Sequence, residues 1–239
     1  MDKVERRARE QIRRIAETYE AIAEGFSGTR RSPWSEVLRL LGDVSGKLVL
    51  DVGCGNGRHV VELAKRASLV VGIDLSKRLV RIAKSRVERL GLAHRAMLIV
   101  SDALFLPFRR ASFDVVACIA VVHHVPTKRL RCKAVDEMAE VLRSGGICMI
   151  TAWYRWQKGV LLDVMKGALM RLTGSTFEFG DAYMPWRSRD EIHKRFYHLF
   201  TLKEMKDLLS SGDFEIEELG LMIIGQRKWK NVVARALKR

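Results

Sequence analysis

The chain is poor in cysteine, proline, asparagine and long apolar runs, and each shortage closes off a class of protein. Its cysteines, Cys54, Cys118, Cys132 and Cys148, lie far apart in 239 residues. No C-x-x-C spacing occurs, which argues against a disulfide framework and against the common cysteine zinc sites. Reduced thiols and no bound metal are the expectation. No apolar run approaches the ~18 residues of a membrane span, so no membrane association is expected. The opening MDKVERRARE is charged throughout, unlike a secretory leader, and a cytoplasmic location follows as an expectation. Asparagine occurs only as Asn56 and Asn231, while Arg, Lys and Glu abound, the compositional drift of a heat-adapted protein. Neither an internal repeat nor a low-complexity linker is present. Acidic residues are short as well: 28 against 43 basic ones leave a formal charge of +15. That balance favours a polyanionic partner, the alternative being a basic surface that is merely solvated.

The apolar residues that are present change their period along the chain. From Val4 to about Ala23, Ile12, Ile15, Ala16, Tyr19 and Ile22 recur at helical spacing. A second helix is expected after Gly28, with Ser32 as its cap and Pro33 at its first position. From Lys47 the runs KLVLDVG, LVVGIDL, AMLIVSDAL, FDVVACIAVV and GICMITAW are short, β-branched and separated by helix-length stretches. This is the signature of buried parallel strands with crossover helices, a doubly wound α/β sheet. QKGVLLDVMKGALMRLTG predicts a helix and STFEFGDAYMPWRSRDEIHKRFYH an irregular basic and aromatic insertion. FTLKEMKDLLSSG predicts a helix with a Thr201–Glu204 capping box and a stop at Gly212. FEIEELGL and NVVARAL predict two closing strands.

The first strand runs straight into Gly53, Gly55 and Gly57, a turn that lets a ligand approach closer than any Cβ permits. The second ends in Asp74, where a carboxylate can accept both ribose hydroxyls of an adenosine-containing cofactor. The third ends at Asp102, an acceptor for an adenine amino group. A dinucleotide site calls for G-x-G-x-x-G, whereas the spacing here is G-x-G-x-G, so a pyrophosphate site is disfavoured. One domain over 1–239 is expected: N-terminal helices in 1–46, a cofactor-binding core in 47–153, a substrate-side insertion in 154–200, and a closing helix and strands in 201–239.

The segments DVGCGNG, GIDLS and SDALFLPF resemble the class I S-adenosylmethionine-dependent methyltransferases over roughly Lys47 to Trp153. TYEAIAEGFSGTRRSPWSEV, IAVVHHVPTKRLR, TAWYRWQ, MPW and RFYHLF extend the likeness across nearly the whole chain. They resemble the tRNA methyltransferases that esterify a carboxymethyl group on the wobble uridine, the methyltransferase half of the AlkB-homologue tRNA enzyme among them. The chain departs from the eukaryotic members in its short connection between MPW and RFYHLF and in Pro126 at the start of the basic turn.

The resemblance implies a seven-stranded Rossmann-like sheet, S-adenosylmethionine as cofactor and tRNA as substrate. It places Tyr19, Arg30, Gly53, Cys54 and Gly55 around the cofactor, with Asp74, Leu75, Asp102, Ala103 and Ala120 completing that set. His123, His124 and Arg30 are implied at the reacting centre, with Trp153, Trp186, Arg195, Tyr197 and His198 facing the nucleotide. A carboxylate acceptor with a pKa near ~4 is already ionised at neutral pH and needs no general base, so the histidines would orient it. Lys128, Arg129 and Arg131 are then expected on RNA phosphates.

In the implied strand order the third strand, Ala96–Leu104, is outermost, and its Met97, Leu98, Ile99 and Val100 carry no charge. Such an edge invites another chain, unless flanking helices cover it. The family uses a small zinc-binding activator subunit, which implies a heterodimer through this strand. Two other readings compete. One is a small-molecule O- or N-methyltransferase on the same fold; the other is a non-catalytic RNA-binding or scaffold subunit, against which intact Gly53, Gly55, Asp74 and Asp102 argue.

Overall fold

A computed structural model describes residues 3–174, 177–188, 191–224 and 229–239. Seven strands form one sheet in the order β3-β2-β1-β4-β5-β9-β8. They are β1 (Leu48–Val52), β2 (Leu69–Asp74), β3 (Ala96–Val100), β4 (Phe113–Ile119), β5 (Leu142–Trp153), β8 (Phe214–Ile224) and β9 (Trp229–Lys238). β9 runs antiparallel to both β5 and β8, and the remaining pairings within this sheet are parallel.

Successive strand residues bury on opposite faces. Leu50, Val116, Cys118 and Ile150 join α5 (Lys128–Val141) and α7 (Leu202–Ser211) in one core. Val49, Val115, Ala117 and Met149 join α2 (Ser35–Leu41) and α3 (Arg58–Ala64) in the other. A parallel sheet covered on both faces needs apolar residues at every position, which is why these strands read as continuous runs. At ~25 cal/mol per Å² of apolar surface, burying each such side chain stabilises by about 1.5–3 kcal/mol before its ordering entropy is counted.

The lead-in helix α1 spans Lys3–Thr29, longer than its periodicity predicts. It continues through Gly25 because Phe26 finds aromatic partners in Tyr19 and Trp186. The end of α1 is held by Asn56, whose Nδ2 donates to Ser27 Oγ at 3.1 Å and to the Arg30 carbonyl at 2.9 Å. α2 begins at Ser35 rather than at Pro33, and Ser32 does not cap it. Trp34 takes that position without a side-chain bond, its own N–H donating to His59 Nε2 at 3.2 Å. Here a tertiary contact, not a local cap, sets the helix start. Ser76 caps α4 (Lys77–Arg89) by accepting from the Leu79 N–H, and the Thr201–Glu204 capping box opens α7.

The insertion is more regular than its sequence suggests. α6 (Leu161–Leu172) leads into a two-stranded antiparallel hairpin, β6 (Asp181–Arg187) and β7 (Ile192–His198). Pro185 and the basic residues hide this hairpin from pattern reading. In a two-stranded ribbon each strand keeps a free edge, so a proline there is tolerated. Val160, Val164, Ala182, Met184, Tyr197 and Leu199 form a separate small core that seats the hairpin beside Trp153 and Trp229.

α6 meets β6 through Gly167, where a Cβ would lie 1.7 Å from the Asp181 carbonyl oxygen. Gly167→Ala therefore forces helix and hairpin apart. It should destabilise the protein by about 1–3 kcal/mol, as overpacking does, read as a lowered denaturation midpoint.

Candidate active site

A cavity of about 990 Å³ opens across the carboxyl ends of β1, β4 and β5, roofed by α1 and the β6–β7 hairpin. Ligands of doubly wound sheets bind at this end, where strand order reverses. Gly53 and Gly57 have φ of +71° and +73°, which L side chains rarely adopt. Space forbids a side chain there as well: a Cβ on Gly53 would sit 2.3 Å from Val121, and one on Gly57 2.8 Å from the Ala83 Cβ. Gly55 lies under the Phe26 ring, leaving the floor of the cavity as bare backbone.

Asp74 ends β2 with one oxygen accepting the Gly55 N–H and the other the Ser76 N–H, both at 2.9 Å. Burial raises its pKa to about 6, and these two N–H bonds limit the rise. Asp102 follows β3 and accepts the Leu104 N–H at 2.9 Å; burial raises it too. Leu75 and Ala103 line the wall between them. Ala120 holds a left-handed φ of +59°, secured by an N–H that donates to both Thr151 Oγ1 and the Thr151 carbonyl. Cys54 borders the cavity, but burial pushes its thiol well above the usual range, which leaves it unreactive.

At the other end of the cavity, a single 3₁₀ turn, Val122–His124, follows β4. His124 Nδ1 lies 2.9 Å from the Phe196 carbonyl, and its Nε2 lies 2.9 Å from Tyr19 Oη. A carbonyl can only accept, so Nδ1 carries the proton and the tyrosine donates to Nε2. Burial depresses the His124 pKa to about 3 and that of His123 well below its usual value. Both imidazoles are neutral at pH 7. His123 stacks on Tyr197, which stacks on Trp153 with centroids 4.7 Å apart.

Arg195, on β7, is 6 % exposed and lies between Trp186 and Tyr197, 5.0 and 5.3 Å from their ring centroids. Its Nε has no hydrogen-bond partner, and no carboxylate pairs with it among the described residues. Arg30 also borders the cavity, its guanidinium 5.5 Å from the Phe26 ring.

A family profile described as a methyltransferase domain matches residues 49–146. A protein of Encephalitozoon cuniculi named as a methyltransferase is 31% identical over 204 residues, covering 84% of this chain and 87% of that protein. The chain belongs to the S-adenosylmethionine-dependent methyltransferases. A solved S-adenosylmethionine-dependent methyltransferase from Methanosarcina mazei shares the fold with a TM-score of 0.74, at 24% identity, covering 87% of this chain and 98% of that one. A Xenopus tropicalis protein named tRNA (carboxymethyluridine(34)-5-O)-methyltransferase is 29% identical over 237 residues, covering 80% of this chain and 36% of its own length. The methyltransferase spans about a third of the length of the curated tRNA enzymes it matches.

The residues present fit the cofactor. A floor that a Cβ would fill, a buried carboxylate beyond it at Asp74 and a second at Asp102 suit an adenosine with its ribose hydroxyls. Two expected RNA contacts do not survive in the methyltransferase. Arg131 has only 4% of its side chain exposed; it donates to the Val125 carbonyl and pairs with Glu178, so it cannot reach a phosphate. His198 is buried away from the cavity, bonded to Asp181 Oδ1 at 2.8 Å, and cannot face a nucleotide. Lys128 and Arg129 are exposed. Trp186 stands behind Arg195 instead of lining the cavity itself.

Several residues escaped pattern reading. Glu20 accepts from Ser76 Oγ at 2.7 Å and from the Arg78 N–H at 3.0 Å, latching α1 to the start of α4 beside Asp74. A lone glutamate on a helix gives no sequence signal of this. Asp51, inside β1, is buried with Oδ2 unpartnered among the described residues; burial raises its pKa to about 7 against the pull of Arg58. Its charge within an apolar run was the available hint. Trp229 and Asn231 line the cavity from β9, and the pattern of a closing strand does not single them out.

Only ionised Asp74 can accept from both ribose hydroxyls. Its pKa of about 6 means that falling pH protonates the ligand-free site and removes that acceptor. S-adenosylmethionine affinity should be flat above this value and fall about tenfold per pH unit below it, at about 1.4 kcal/mol per unit. Asp74→Asn should bind more weakly by roughly 1.5–3 kcal/mol and lose that pH dependence, as measured by titration calorimetry.

Proposed function

We propose that this methyltransferase esterifies the carboxymethyl group of 5-carboxymethyluridine at the wobble position of tRNA, giving the methoxycarbonylmethyl form. The observation that carries this reading is Arg195. A guanidinium buried among aromatic rings with no carboxylate partner is costly unless a ligand supplies the anion, and a carboxylate matches its fork in a bidentate pair. The names of the curated relatives, which specify carboxymethyluridine at position 34, agree with such an acceptor.

Bound S-adenosylmethionine supplies an electrophilic methyl group. Gly53, Gly55, Asp74 and Asp102 hold it, with Cys54, Leu75, Ala103 and Ala120 forming the wall, and Tyr19 and Arg30 close the site from above. Arg195 anchors the acceptor carboxylate and Trp153, backed by Tyr197, stacks against its base, so that positioning supplies most of the acceleration. His123 orients the acceptor, and His124, both of its ring nitrogens engaged by Phe196 and Tyr19, holds Tyr19 in place. With a pKa of about 3 and its lone pair occupied by the Tyr19 hydroxyl, His124 is unsuited to abstract a proton. A carboxylate acceptor needs no base, whereas a hydroxyl or amine of a small-molecule substrate would require one. Lys128 and Arg129 add phosphate contacts on the exposed face, and the charge of +15 draws the polyanion in the cytoplasm.

The deciding experiment incubates the protein with S-adenosylmethionine and tRNA bearing 5-carboxymethyluridine, then analyses the nucleosides by mass spectrometry. An ester that mild alkali returns to the acid is the expected product; its absence ends the reading. Arg195→Gln should lower transfer roughly 10- to 100-fold, the loss of one charge-assisted bond, with cofactor affinity unchanged.

β3 is one of the two edge strands, β8 being the other; it ends at Val100, short of the expected Leu104, and its Met97 and Val100 are 52% and 45% exposed, with Phe105 at 57% just beyond. An uncharged edge of this kind suits strand addition by a second chain, and the partner proposed is a small zinc-binding activator subunit. Co-expression with it should raise soluble yield and methyl transfer. Full activity of the isolated chain, with β3 amides already protected from exchange, would rule the partner out.

A further inference from the structure

Asn231 has no part in the chemistry described above, yet it is placed as a reading head. It lies on β9 directly opposite Trp153 of β5, so the two side chains share one face of the sheet. It is 2% exposed and lines the cavity. Its Nδ2 donates to the Trp229 carbonyl at 3.2 Å, which fixes which end of the amide is oxygen. Among the described residues, Oδ1 is left buried and without a hydrogen-bond partner. Buried side-chain acceptors are rarely orphaned in native proteins, and one that borders a cavity marks a place where a ligand donor belongs.

The surroundings say what kind of donor. Trp153 stacks on Tyr197, and Trp229 meets Trp153 edge-on with centroids 4.4 Å apart, giving a packed aromatic cluster on this wall. The backbone N–H of Trp153 donates to His123 Nδ1 at 3.2 Å, so the ring proton of His123 resides on Nε2 and makes that atom a donor. One wall thus carries a stacking surface, an acceptor and a donor. β9 stands three strands from β1, about 14 Å at the usual strand spacing, so this wall serves the acceptor end and not the glycine turn.

We infer that Asn231 accepts a hydrogen bond from the imino N3–H of a uracil ring stacked on this wall, and that it selects uracil-type over cytosine-type acceptors. Uracil presents an N–H between two carbonyls. Cytosine presents a bare lone pair at the same atom, which would face the Asn231 oxygen and leave both unpaired. Sites built to bond a polar hydrogen reject analogues that lack it far more strongly than apolar pockets reject a misfit. The inference rests on the tRNA-uridine reading for the nature of the substrate, but its content is the base, not the carboxylate.

The test titrates the protein, saturated with S-adenosylhomocysteine, with uridine, 3-methyluridine and cytidine, each with and without a 5-carboxymethyl group, following tryptophan fluorescence. Uridine should bind at least tenfold tighter than its 3-methyl and cytidine counterparts in both series, and Asn231→Leu should abolish that preference while cofactor affinity stays unchanged. The 3-methyl ligands remove the donor without touching the protein, so wild-type protein alone decides if the variant fails to fold. Equal affinity for uridine and 3-methyluridine, a preference that persists in Asn231→Leu, or no binding by any of these nucleosides overturns the inference. A preference for uridine that is indifferent to the carboxymethyl group supports it while counting against the carboxylate reading of Arg195.

Discussion

A parallel sheet must be covered on both faces, and the rest of this protein follows from that requirement. Covering both faces fills the central strands almost entirely with apolar residues and carries the β1–β2, β2–β3 and β4–β5 connections over the sheet as α3, α4 and α5. It also leaves the carboxyl edge as the place where backbone groups stay open. Gly53, Asp74, Asp102, Ala120 and Trp153 each stand at or just past the end of a strand, which is why they meet around one cavity although they span a hundred residues of sequence.

Burial then decides the charge state of that cavity. Removing His123 and His124 from water leaves them neutral, and the hydrogen bonds from Tyr19 and to Phe196 hold one tautomer in place. Arg195 brings a guanidinium to the same end of the cavity. The acceptor end is consequently cationic, aromatic and short of a base, a combination suited to receiving an anion in a fixed pose. Asp51 and Asp74 sit on the opposite side, where burial raises both.

A buried polar network carries the hairpin that brings Arg195 to the site. Arg131 pairs with Glu178, His198 bonds Asp181, and Arg155 pairs with Glu204 at the capping box of α7. Burial opposes the ionisation of Glu204, but bonds from His198, Arg155 and Thr201 outweigh it and hold its pKa at about 2. Two residues expected on the RNA are thus structural. Basic and aromatic composition alone cannot separate a guanidinium that fastens a hairpin from one that awaits a ligand; the presence or absence of a carboxylate partner does.

Local rules were enough for the strand runs, the glycine turn, the strand-end carboxylates and the α7 capping box, because each depends on residues adjacent in sequence or on a period of two. They were enough, too, for the edge position of β3 once the family's strand order was implied. They failed where distant segments decide. The start of α2 depends on His59, the length of α1 on Trp186 and Asn56, and the β6–β7 hairpin on a small core shared with Trp153 and Trp229. The sequence by itself determined the doubly wound sheet and the end of the cavity built from the glycine turn and strand-end carboxylates, since strand, turn and carboxylate are all encoded by neighbours. Only the tertiary structure decided which of the many arginines and histidines face the acceptor, because facing is set by burial and by partners dozens of residues away.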